Sequence, residues 1–226
     1  PVVAISLFGG SVRCVVETYL AVGGIPGAVI FAFGLIGVAL TGVPLYTGKA
    51  GVLKGDESWT LIGIWFWNVM GCILIGLLVK YAGSDTSITN AMTIVDGRFE
   101  AGWVKSLLRS IGCGLIIDLS VYQFRKSGSL IPILFGVPLF ILCGFYHSIA
   151  DVVYLTVSWR WSPEICWYYP MIVIGNYIGC NVRRLIMKST ETDDGDLQKK
   201  EIERFLKKNL EVSENCIIFV VRKENN

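Results

Sequence analysis

Runs of about twenty apolar residues recur along this chain, and a run of that length is what an α-helix needs to cross the hydrocarbon of a bilayer. Six such spans can be drawn, at roughly 2–22, 27–43, 59–81, 105–124, 129–157 and 167–187. Of the 226 residues 53% are hydrophobic and 17% charged, with a mean hydropathy of +0.58. The expected class is therefore an all-α, multi-pass integral membrane protein whose largest partner is the lipid bilayer. A net charge of +2 is too small, and its charges too scattered, for a nucleic-acid partner. The opening "PVVAISLFGG" is apolar without a basic leader, so it reads as the inside of a first helix and not as a signal peptide.

Two of the spans carry helix breakers. The second runs into Leu40–Gly55, where Gly42, Pro44, Gly48 and Gly51 work against an α-helix, and the fifth runs into Gly144 just before His147. These are the middle elements of two three-span halves, the arrangement in which inverted-repeat transporters keep discontinuous helices. Backbone left unpaired at membrane depth is tolerable only where protein buries it or a watery cavity receives it, so the breaks are expected to mark a pathway.

The connections and ends carry the remaining charge. Arg13 and Glu17 in the first span lie four apart and can neutralise each other. Residues 82–104, "AGSDTSITNAMTIVDGRFEAGWV", read as a polar connection at the surface. Residues 188–226 read as a separate tail with a short amphipathic helix after "ETDDGD" and an apolar "CIIFVV" segment. Its Lys and Arg run, beginning at Arg183 and Arg184, sets both chain ends in the cytoplasm. A cell (inner) membrane is the expected location.

His147 is the only histidine, and it sits beside Asp151 in the apolar stretch "GFYHSIADVVY". Asp118 is a second carboxylate within a span. An acid inside a membrane is a candidate proton-linked group, although Asp151 can equally cap a half-helix and Asp118 can pair with Arg125 or Lys126. The seven cysteines lack CxxC spacing and read as packing residues, so neither a metal nor a cofactor is expected. No nucleophile elbow, HExxH or phosphate loop accompanies the histidine, which argues against an enzyme. A haem-binding or other redox membrane subunit is the alternative, with His and Met as the chemically open ligand pair.

The stretches "FGLIGVALTGVPLYTG" (Phe33–Gly48), "GFYHSIADVVY" (Gly144–Tyr154) and "IGNYIGCN" (Ile174–Asn181) resemble the broken second helix, central histidine and sixth helix of the formate/nitrite transporter family. The resemblance runs in order through nearly all of residues 5–187. It implies an aquaporin-like fold of six helices in two inverted three-helix repeats, assembled as a homopentamer with one pore per protomer. Those pores pass small monovalent weak-acid anions: formate, nitrite, hydrosulfide, acetate or lactate. By the same resemblance Phe31, Leu35 and Phe140 fall at apolar constrictions, while Leu45, Tyr46 and Thr47 fall on the loop of the broken second helix. Thr47 takes the place of a threonine that hydrogen-bonds the histidine, and Asn176 that of the sixth-span asparagine.

Departures from the family pattern gather near the same place. Tyr146 stands where the family usually has Glu, Asp151 where it has Asn, Gly114 where it has Asn, and Asp118 where it has Cys. The lysine common at the start of the fifth span is Ser129 here. Physically, a bare anion between two apolar rings loses its water at a cost of several kcal/mol. An imidazole, with an ordinary pKa of about 6.5, can offer a positive field or a proton there.

Overall fold

A computed structural model describes residues 19–51 and 58–187. The chain divides into two units, Pro1–Ile186 and Met187–Asn226, and the description concerns the first. The Arg13–Glu17 pair and the tail helix expected above lie outside the described residues. After a helical end at 19–22 come α1 (Gly24–Thr41), α2 (Tyr46–Ala50), α3 (Ser58–Ala82), α4 (Asp85–Ser127), α5 (Ile131–Leu142), α6 (Ser148–Ser158) and α7 (Ile165–Met187). The described residues form no strand.

The stops between α1 and α2 and between α5 and α6 have the same local cause. Gly42 (φ 68°) and Gly144 (φ 66°) adopt the left-handed conformation that a side chain disfavours, which turns the chain out of the helix. After Gly144 the amides of Gly144 and Phe145 return to Ile141 O and Phe140 O at 2.9 and 3.0 Å, closing the end of α5. Pro44 adds a residue without an amide donor between α1 and α2. Gly48, read from the sequence as a breaker, instead lies inside the short α2.

Helix α6 is the centre of the molecule. All eleven of its residues are buried, and it packs against α3 on one side and α4 on the other, while α5 lies between α1 and α4. Outward faces are apolar. Along α3, Trp59, Ile62, Phe66, Met70, Leu74, Leu78 and Tyr81 recur every three to four residues, and all are exposed. The opposite face holds the buried Leu61, Asn68, Cys72, Ile75 and Val79. A helix apolar on both faces, with Trp and Tyr at its ends, suits lipid or a neighbouring apolar surface better than water. Helices α1 and α3 are each long and apolar enough to cross a membrane.

The region expected as a surface connection is helical. Ser84 caps α4, its hydroxyl accepting from Ser87 N at 3.2 Å, and Asp85 follows in the first turn, where a negative charge is favourable. Ser87, Ala91 and Val95 are buried, so this polar-looking segment belongs to the body of the fold. Its change of direction comes at Gly102 (φ 74°, ψ 168°), the one non-helical residue inside α4.

Small residues let α4 and α7 meet backbone to backbone. A Cβ at Gly114 would overlap Asn176 O, one at Gly179 would overlap Ile111 O, and one at Gly175 would press on Ser110. Gly175 and Gly179 form a G-x-x-x-G face, which brings helices into close contact where the hydrophobic effect gives no drive between them. The close approach explains Gly114, where a side chain would meet the Asn176 backbone.

Candidate functional site

The two half-helices α2 and α6 begin in the same way. Leu45 caps α2 with extended backbone (φ −107°, ψ 138°), and His147 caps α6 likewise (φ −112°, ψ 115°). Asn68 on α3 accepts from Tyr46 N at 2.9 Å and donates to Pro44 O at 3.2 Å. Asn176 on α7 accepts from Ser148 N at 2.8 Å and donates to Tyr146 O at 2.9 Å and Ser110 O at 2.9 Å. In each half, then, an asparagine satisfies the first helical amide and the carbonyl two residues earlier. These are the backbone groups a broken helix leaves unpaired. Asn176 thus acts on the backbone that carries the histidine. Its counterpart Asn68 went unnoticed in the sequence, where its only signal was a lone amide in an apolar span.

His147 stands where these halves meet. Its Nδ1 accepts from Ala150 N at 3.1 Å, capping α6. Its Nε2 lies 3.1 Å from Thr47 Oγ1, which comes from α2. An Nδ1 that accepts from a backbone amide has its lone pair free, so the neutral ring carries its proton on Nε2 and donates it to the Thr47 hydroxyl. A second proton on Nδ1 would set two N–H groups against each other and open the cap. His147 is 7% exposed and Thr47 fully buried.

Apolar groups surround the ring. Phe140 stacks on it with centroids 5.9 Å apart and an interplanar angle of 28°, and is itself 3% exposed. Phe31 and Leu35 pack into the cluster around Phe140, and Leu45 into the cluster that includes Tyr46 and Tyr146. Tyr46 and Thr47 lie in the first turn of α2 and not on a loop. The Tyr46 hydroxyl donates to Val173 O at 3.3 Å. Of the residues singled out in the sequence, Thr47, Phe140 and His147 are therefore in direct contact, whereas Asn176 and Tyr46 hold backbone around them.

A cavity of about 370 Å³ is lined by Phe140 and His147 together with Arg98, Arg109 and Tyr146. Arg98 fell in the expected connection 82–104 and Arg109 in the expected span 105–124, and neither was singled out as a site residue. Arg98 instead lies in α4 with its side chain 12% exposed, its Nε 2.8 Å from Asp151 Oδ1 and its guanidinium 3.9 Å from the centre of the Tyr146 ring. Asp151 therefore neither caps α6, a task taken by His147, nor acts first on the imidazole. Its charge is answered by Arg98. Asp118 likewise meets an arginine, Arg183 of α7, whose Nε donates to it at 2.7 Å. Arg125, which with Lys126 was a candidate partner for Asp118, donates to Gly48 O at 3.0 Å. Both acids belong to pairs formed between distant segments, which no local spacing in the sequence announces.

Comparison with known proteins places this arrangement. The family described as formate/nitrite transporter matches residues 3–187. The uncharacterized transporter YrhG of Bacillus subtilis is 26% identical over 68% of this chain and 66% of its own length. The nitrite transporter NirC of Escherichia coli is 24% identical over 57% of this chain and 54% of its own. The alignments thus span about two thirds and about half of those relatives. A solved pentameric formate channel with formate bound superposes with a TM-score of 0.65 at 20% identity, covering 83% of this chain and 92% of that one. At that identity the likeness speaks for a shared fold. With a family match over most of its length and a matching channel fold, the chain belongs to the formate/nitrite transporter family and is an integral membrane transport protein.

Proposed function

We propose that the chain forms a channel for small monovalent weak-acid anions, formate and nitrite first among them, with hydrosulfide, acetate and lactate in the same class. The observation that carries this reading is the His147–Thr47 hydrogen bond at 3.1 Å, with His147 and Phe140 in the wall of a cavity that Arg98 and Arg109 also line. In this reading residues 1–187 make the channel domain from six spans in two inverted repeats. The matched Leu45–Asn68 and His147–Asn176 half-helix starts support that symmetry. Residues 188–226 form a cytoplasmic tail. The apolar outward face of α3 suits a homopentamer or lipid, and the superposed pentameric channel favours the pentamer.

Chemically, the anion stays hydrated in the cavity and meets its barrier at the apolar constriction of Phe140, Phe31 and Leu35. There it exchanges water for the Nε2–H of His147, taking the place of Thr47 Oγ1 as acceptor while Nδ1 keeps its bond to Ala150 N, and Thr47 returns after passage. The neutral ring keeps its own proton. A solute that crosses as the free acid therefore takes its proton from water in the cavity, and the ring supplies a hydrogen bond in place of the lost hydration.

Purified protein in liposomes tests the reading with formate, nitrite, hydrosulfide, acetate, lactate and chloride, each with and without a pH gradient. Saturable flux of formate and nitrite well above that of chloride is expected. Phe140→Ala should widen the constriction and raise lactate flux relative to formate by about tenfold, as a barrier lowered by roughly 1.4 kcal/mol would give. Equal flux of all solutes in both proteins would remove the constriction from the account.

A further inference from the structure

The cavity in front of Phe140 has an unusual charge arrangement. Arg98 is matched by Asp151 at 2.8 Å, and it lies flat on Tyr146 at 3.9 Å. Arg109 also faces this cavity, and its Nη1 donates to the Tyr146 hydroxyl at 2.8 Å. That partner is a neutral phenol. Among the described residues no carboxylate forms an ion pair with Arg109, in contrast to Arg98, Arg160 and Arg183.

We propose that Arg109, held by the Tyr146 hydroxyl, forms a binding site for a planar oxyanion, a carboxylate or nitrite, ahead of the Phe140 constriction. The inference rests on the channel reading and adds to it a site at which the solute pauses and is selected. A guanidinium has five donors. One is used on Tyr146, and the remaining fork matches the two oxygens of formate or nitrite. The rings of Phe140, Phe145 and Tyr154 also line the cavity, and their low polarity beside the guanidinium strengthens the attraction. A volume of about 370 Å³ holds roughly a dozen waters at about 30 Å³ each. The anion therefore reaches Arg109 still largely hydrated, and two-point recognition there requires no complete loss of water. Hydrosulfide, with one heavy atom, cannot span the fork.

The test compares wild type with Arg109→Gln and Arg109→Lys in liposomes, reading half-saturation concentration and maximal rate separately for formate, nitrite and hydrosulfide. Arg109→Gln should raise the half-saturation concentration about tenfold for formate and nitrite, the loss of one charge-assisted pair, and less than about threefold for hydrosulfide. The maximal rate should change less than about twofold, since the barrier at Phe140 lies beyond the site. Arg109→Lys, which keeps the charge but not the fork, should recover part of the loss for formate and all of it for hydrosulfide. An unchanged half-saturation concentration in Arg109→Gln, an equal rise for hydrosulfide, or full recovery of formate by Arg109→Lys overturns the site. Line broadening of 13C-formate by protein in detergent reads binding without transport. Broadening by wild type that is lost in Arg109→Gln supports the site even where flux fails and the channel reading with it, and no broadening by wild type overturns it.

Discussion

Replacing His147 with Phe is expected to leave a folded protein that has lost most of its weak-acid anion flux. The two rings are similar in bulk, and the stack on Phe140 at 5.9 Å can be kept. What disappears is the Nε2–H that meets the solute and the Nδ1 that accepts from Ala150 N. Removing a favourable interaction of about 2–3 kcal/mol at the barrier slows passage by roughly thirty- to more than a hundredfold. His147→Asn separates hydrogen bonding from imidazole chemistry. Asn is a good N-cap residue and carries an amide donor, so it should hold α6 and retain flux within about tenfold of wild type. Equal losses in the Phe and Asn variants would mean that the imidazole's own proton chemistry is required. Wild-type flux in the Phe variant would reduce His147 to a helix cap.

The second large effect concerns stability. Asp151→Asn is expected to destabilise the protein by about 3–5 kcal/mol, because it strands the Arg98 charge in a buried site. The double variant Arg98→Met/Asp151→Asn should recover most of that loss, since two uncharged side chains leave no stranded ion. Unfolding in a denaturing detergent titration, followed for both variants, measures this coupling. Equal stability of wild type and Asp151→Asn would show that the pair at 2.8 Å contributes nothing beyond polarity, and that Arg98 reaches water freely.

The parts of this structure that depend on local chemistry were legible in the sequence. Gly42, Pro44 and Gly144 announce the ends of α1 and α5 because backbone preference is a local matter. The meeting of His147 with Thr47 was read from a resemblance, and no spacing argument could have given it, since they lie a hundred residues apart. The first half of α4 was missed for a physical reason. Its polar residues hid the buried face of Ser87, Ala91 and Val95, although the Ser84-Asp85 start is a recognisable cap. The pairs Arg98–Asp151 and Asp118–Arg183 were invisible for a different one. Both join segments that are remote in sequence, so each charge looked solitary, and nothing local marked Arg98 or Arg109 as lining the cavity.

Because His147 is the only histidine in the chain, 15N-histidine labelling reports on a single ring, and its two nitrogen shifts in liposomes at pH 7 test most directly whether the solute meets a neutral Nε2–H. The account predicts an unprotonated Nδ1 and a protonated Nε2, as the bonds to Ala150 N and Thr47 Oγ1 require, with the Nε2 signal moving as formate is added and the Nδ1 signal staying in place. A ring protonated on both nitrogens, or an Nε2 signal that saturating formate leaves unmoved, would contradict it.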